Sequence, residues 1–237
     1  MVSAMRRSIA LLGALALAGC GGSDSGSLPQ GSEPANLDAA DFVERIDNPY
    51  WPMAPGSRWV YSEDGQRVEV SVTDRTKEIL GIQATVVHDV VSEDGELVED
   101  TLDWYAQDKD GNVWYLGEAT KEYENGKVKT TEGSWEAGVD GAEAGVIMPG
   151  TPEVGQTYRQ EYYEGEAEDA GAILSLDEWV QVPAGTYRDV LMTKDYTPLE
   201  PDILEHKFYA KGVGPVLAVG ISGGSDREEL VRFTPGP

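Results

Sequence analysis

The chain has 237 residues, with 43 acidic against 18 basic side chains and a formal net charge of −25. A surface this negative repels nucleic-acid phosphates and anionic lipid headgroups, which excludes nucleic acid as a partner. A hydrophobic content of 40% with six Trp and eleven Tyr supplies a real core and excludes a disordered chain, and a single cysteine excludes any intrachain disulfide.

The first nineteen residues read as a secretory signal: Arg6 and Arg7, an apolar run from Ile9 to Leu17, then small residues. The run is too short to span roughly 30 Å of hydrocarbon as a helix. Leu17-Ala18-Gly19-Cys20 resembles the lipobox of bacterial lipoproteins. That resemblance implies cleavage before Cys20, lipidation of its thiol, and an extracytoplasmic protein anchored in the bacterial cell envelope through its N-terminus. Acidity leaves membrane attachment to the lipid, whose acyl chains contribute roughly 0.8 kcal/mol per buried CH₂.

Residues 20–36 then read as a flexible tether. Four Gly, four Ser and two Pro between Gly21 and Asn36 favour coil over packing. Asp38 to Ile46 is the one predicted helix, with Asn36 or Asp38 as its cap and Phe42, Val43 and Ile46 as an apolar stripe. It ends before Asn48-Pro49.

From Tyr50 onward the period is two. Val68, Val70 and Val72 alternate with Arg67, Glu69, Ser71 and Thr73, the pattern of a half-buried strand. Turn signals recur at strand-length intervals: Asp64-Gly65, Leu80-Gly81, Asp94-Gly95, Asp110-Gly111, Asn125-Gly126, Ala184-Gly185 and Gly223-Gly224. Asn125-Gly126 predicts a two-residue type I′ hairpin. The expected fold is all-β: an antiparallel meander of about ten strands in one domain over 37–237, forming a curved sheet or half-barrel.

An internal repeat is also visible. Trp104-Tyr105-Ala106 and Phe208-Tyr209-Ala210 each precede a Gly turn, and Gly81 with Gly185, like Val86 with Val190, lie at the same spacing. This predicts two five-strand halves, 50–132 and 153–233. Between them, Glu132 to Pro152 holds five Gly and the single large anchor Trp135, and is expected to cross from one half to the other.

Candidate chemistry is sparse. Asp108, Asp110 and Asn112 alternate oxygen side chains as a hard cation such as Ca²⁺ requires. The run departs from an EF-hand, because its Gly comes at the fourth position and the twelfth is Ala119; a polar hairpin turn has the same signature. Gly220-Ile221-Ser222-Gly223-Gly224 matches the nucleophile-elbow pattern, but no His follows it. His88 and His206 are too few for a His-based zinc site. No catalytic residue and no cofactor is therefore assigned, and the chain is read as a non-enzyme. The remaining lead is aromatic. Trp59, Tyr61, Trp104, Trp114, Trp179, Tyr196 and Phe208 fall on strands, and with Trp135 they either line an apolar face that takes up a lipid-like ligand or fill the core.

Two resemblances arise here. Trp104 to Asp108 through Gly117-Glu118, Glu122 to Gly126, Gly133 to Gly138, and Tyr158 to Tyr163 resemble a family of uncharacterised bacterial secreted proteins and lipoproteins, which implies no activity. The order of lipobox, tether, short helix and antiparallel meander is similar to the LolA-like lipoprotein carriers. That similarity implies an open half-barrel around a lipid. The sequence thus supports a lipid-anchored binding protein, with a structural or Ca²⁺-dependent envelope protein, or a protein-interaction scaffold, as the second reading.

Overall fold

A computed structural model describes residues 28–237. Cys20, the signal and the first part of the tether lie outside the described residues. Sixteen strands follow a single 3-10 turn at Ala39–Asp41. They are β1 (Phe42–Val43), β2 (Arg58–Glu63), β3 (Gln66–Ile79), β4 (Ile82–Glu93), β5 (Glu96–Asp108), β6 (Val113–Glu124), β7 (Lys127–Thr130) and β8 (Trp135–Glu136). Then come β9 (Glu143–Met148), β10 (Thr157–Arg159), β11 (Glu161–Tyr162), β12 (Ala170–Val182), β13 (Gly185–Tyr196), β14 (Leu204–Ala210), β15 (Gly214–Ser222) and β16 (Arg227–Thr234).

The expectation of an all-β antiparallel sheet holds; the count of about ten does not. The extra strands are pieces of two to six residues, too short for period two to show. Several lie where a crossover was expected: β8 and β9 each pair with β6 and so build the wall between the two long stretches. The expected helix is also absent. Asp38 caps as predicted, accepting from Ala40 N at 2.9 Å, but after one turn Phe42 and Val43 pair with Asp108 and Gln107. The sheet's hydrogen bonds and the edge-on contact of Phe42 with Trp114 outcompete a short, weakly stabilised helix.

The strand order is β10-β12-β13-β14-β15-β16-β2-β3-β4-β5-β6-β9-β11. Its two ends, β10 and β11, are separated in the chain only by Gln160. The sheet therefore returns on itself as a nearly closed barrel rather than an open half-barrel. The closure is tight: a Cβ on Gly145 of β9 would land on the backbone of Gln160 and Arg159. β2 lies diametrically opposite this seam in the strand order. The hairpin turns at Asp64-Gly65, Asp94-Gly95 and Asn125-Gly126 share the upper end. Asn125 (φ 54°) and Gly126 (φ 72°) take the left-handed geometry that a type I′ turn requires.

Part of the expected tether is also built in. Arg159 N donates to Pro29 O at 2.7 Å. The Arg159 guanidinium donates to Gly31 O (2.8 Å), Glu33 O (2.5 Å) and Ala144 O (2.5 Å). Gln30 Nε2 reaches Thr157 O, and Ala35 N reaches Glu143 Oε2. Residues 28–36 thus run as a strap over the seam, with Leu28 and Ala35 packed against the core.

The lower half of the interior is apolar. Trp51 plugs it, with ring contacts to Tyr105 (5.6 Å) and Tyr209 (5.9 Å), and Tyr105 stacks on Tyr115 at 4.8 Å. Met148, Ile147 and Tyr158 complete the packing at full burial.

Candidate functional site

The sequence-nominated residues are spent on the fold or on the surface. Trp59 is buried, stacks on Phe233 and donates Nε1 to Val213 O at 2.7 Å. Trp104 is buried beneath Lys77, whose ammonium lies over its ring. Trp135 is buried, packs edge-on against Tyr115 and donates to Glu161 Oε2 at 2.9 Å. Trp114 is half-buried and donates to Asp108 Oδ2. Trp179 alone of these stands in solvent, 54% exposed. These indoles do not converge on one apolar face.

The Asp108–Asn112 turn is likewise committed. Asp108 Oδ1 accepts from Asp110 N and Asn112 N, both at 2.9 Å, and Oδ2 accepts from Asn112 Nδ2 and Trp114 Nε1, both at 2.8 Å. Asn112 Oδ1 accepts from Gly150 N. Four N–H donors already satisfy the carboxylate's lone pairs, so the alternating oxygens build an Asx-type turn and not a Ca²⁺ cage. Among the described residues, no cluster of three or more His, Cys, Asp or Glu is placed to hold a metal ion. His88 Nε2 lies 3.1 Å from Asp100 Oδ1 in a half-exposed pair.

What converges is a set of carboxylates in the upper interior. Directly opposed residues of neighbouring strands share a face. Glu228 faces Glu63, and Glu63 faces Gln66. Val68 faces Val91, Val91 faces Glu99, and Glu99 faces Glu122. Together with Asp89, Val98 and Tyr123, these residues line a cavity of about 280 Å³. That is near the small end of ligand sites, roughly 300–1,000 Å³. Five of its ten lining residues are acidic and none is basic.

Burial and mutual repulsion set the protonation of this cup. Asp89 is lifted by burial to about 7. Glu228 is pushed well up, first by burial and then by Glu63, and Glu63 is raised mainly by burial. Below the cup, Asp103 and Glu118 lie opposite each other and both contact the Tyr115 hydroxyl, at 2.7 and 2.8 Å. A phenol donates one proton, so the two acids share it, and burial raises Asp103.

The other flank is neutralised internally. Lys207 Nζ lies 3.2 Å from Asp195 Oδ2 and 3.3 Å from Glu205 Oε2. Asp195 also accepts from Thr193 Oγ1 and Gln160 Nε2. Burial opposes the charge on Lys207, but these carboxylates hold it firmly protonated. The upper interior is therefore asymmetric: a paired, cation-containing flank under β13 and β14, and an acidic cavity under β16 and β2–β6 whose lining holds no basic side chain. A sequence signal for the cavity existed. Glu63 has the parity of Trp59 and Tyr61, Asp89 that of Val87 and Val91, and Glu228 that of Leu230.

No family model and no curated protein matches this chain, so nothing in these comparisons supports the expected likeness to LolA-like carriers. Among solved structures, one from Parabacteroides distasonis, provisionally described as a lipoprotein, is similar at 12% identity and a TM-score of 0.38, over 78% of this chain and 98% of that one. A likeness this distant carries nothing further.

Proposed function

We propose that this is a lipid-anchored extracytoplasmic binding protein of the bacterial envelope, without catalytic activity, that takes up a small organic cation in its barrel. The observation that supports it most is the acidic cavity: Glu63, Asp89, Glu99, Glu122 and Glu228 around about 280 Å³, with no basic side chain in the lining. Val68, Val91, Val98 and Tyr123 suit the methylenes of an alkylamine, and Tyr123 offers a ring to its ammonium. Buried carboxylates facing one another are costly alone and are compensated by a bound cation. An apolar acyl chain fits this lining less well, because it brings no charge to Glu63 and Glu228, which face each other across β2 and β16.

The test is titration calorimetry with native mass spectrometry on the soluble chain beginning at Leu28, using putrescine, spermidine, choline, decanoate and CaCl₂ as probes. Saturable binding of an amine is expected, weakened at least tenfold by the Glu63→Gln, Glu228→Gln double variant. A co-purifying acyl lipid without amine binding would restore the apolar-ligand reading. A bare polypeptide mass that binds none of the probes would remove both and favour a protein-interaction scaffold.

A further inference from the structure

We infer that the outer face of β12 and β13 beside the seam is the surface that lies against the bilayer, with Trp179 and Tyr196 seated at the headgroup level. The inference rests on the lipid-anchor reading of Cys20. It starts from where the chain leaves the fold. Pro29 and Gln30 are hydrogen-bonded to Arg159 and Thr157 of β10, so the spacer is not the whole of 20–36 but only the stretch from Cys20 to Leu28. Eight Cα–Cα steps reach at most about 28 Å. A twelve-residue strand such as β4 is about 40 Å long. The spacer is therefore shorter than the barrel, and the side from which it emerges stays close to the membrane.

That side carries the features of an interfacial surface. β10 pairs with β12 through Thr157 and Ala172, and Gly155 and Gln156 continue the contact to Ile173. Beside this exit stand Val154 (62% exposed) and Leu174 (37%); on the same outer face Tyr196 (39%) lies at the end of β13 that pairs with Ala170, and Trp179 (54%) lies toward the other end of β12, between the residues paired with Val190 and Tyr187. Leu174 and Trp179 point outward because their neighbours Ile173 and Val180 are buried. Lys194 lies over the Tyr196 ring at 5.1 Å, and Arg188 is exposed on the same strand. Trp and Tyr at the headgroup level, with Lys and Arg stems reaching to phosphates, are how proteins sit at a bilayer interface. The opposite side of the ring is β2, whose Glu63 lines the acidic cavity.

The test uses the full lipidated protein in phosphatidylcholine vesicles. Lipidation consumes the Cys20 thiol, the only native cysteine, so one introduced cysteine takes a nitroxide uniquely. Leu174→Cys and Trp179→Cys report the proposed face, and Ser62→Cys on β2 reports the far side. Collision with a water-soluble nickel chelate is expected to fall at least threefold at 174 and 179 on reconstitution, and to stay unchanged at 62. Equal accessibility at all three positions in protein that floats with the vesicles would overturn the inference and leave the anchor intact. Shielding that appears without vesicles and grows with protein concentration would assign the face to a second copy and overturn it too. Protein that fails to float would overturn the anchor reading, and this inference with it.

Discussion

Arg159 shows how much of this fold hangs on one side chain. The residue is 2% exposed, and its guanidinium donates to three carbonyls, two from the strap and one from β9. Removing it leaves Gly31 O, Glu33 O and Ala144 O short of a buried donor, a loss of about 3 kcal/mol. Arg159→Met should lower the urea midpoint correspondingly and expose residues 28–36 to protease, while Arg159→Lys should recover only part, since one ammonium cannot replace a planar fork. An unchanged midpoint with an intact N-terminus would refute the strap's role. None of this was legible beforehand. Arg159 sits in an ordinary polar stretch, and its strap partners are more than 120 residues away. Asn125-Gly126 was legible because a turn's geometry is local. Asp108 left two readings open, because a cation cage and an Asx turn share one spacing and differ only in where the backbone N–H groups point.

At the scale of elements, strand type and turns followed from periodicity, but closure did not. β10 and β11 are three and two residues long and give no pattern of their own. They join the ends of the sheet because Gly145 lets β9 approach the Gln160 backbone. An alanine there forces the two strands apart and strains the seam, a change worth roughly 1–3 kcal/mol in a well-packed interior. Gly145→Ala should therefore lower the denaturant midpoint and increase amide exchange at Ala144 and Glu161, which pair across the seam. Gly165→Ala, at a turn with open space around its Cβ, is the control; it should leave the seam's exchange unchanged while costing only local turn strain. Equal exchange in the two variants would show that closure does not depend on this contact. The strands before and after the segment 132–152 belong to one nearly closed ring, because that segment supplies β8 and β9 to its wall.

The whole molecule behaves as a barrel with an apolar, aromatic lower half and an acidic upper half, and its stability must follow the protonation of the latter. Burial lifts Asp89 to about 7 and Asp169 to about 6, and raises Glu228 and Glu63. Each of these groups holds its proton more tightly folded than unfolded. Their contribution is thus fully present below the ordinary carboxylate range near pH 4 and is lost as pH rises through the folded values. Repulsion from the net charge of −25 acts in the same direction. The melting temperature should be higher at pH 5.5 than at pH 8, by the equivalent of a few kcal/mol. Asp89→Asn, which no longer ionises, should raise stability at pH 8 and flatten the profile. An organic cation in the cavity reverses the trend. It favours the ionised carboxylates, so it should bind more tightly at pH 8 than at pH 6, release protons on binding, and stabilise by about 2.7 kcal/mol at one hundred times its Kd. Melting curves at both pH values, with and without spermidine, read all of these signs. A profile that climbs from pH 5.5 to 8 in the free protein would mean that the buried acids are ionised in the fold. A spermidine effect equal at both pH values would place the amine outside the cavity.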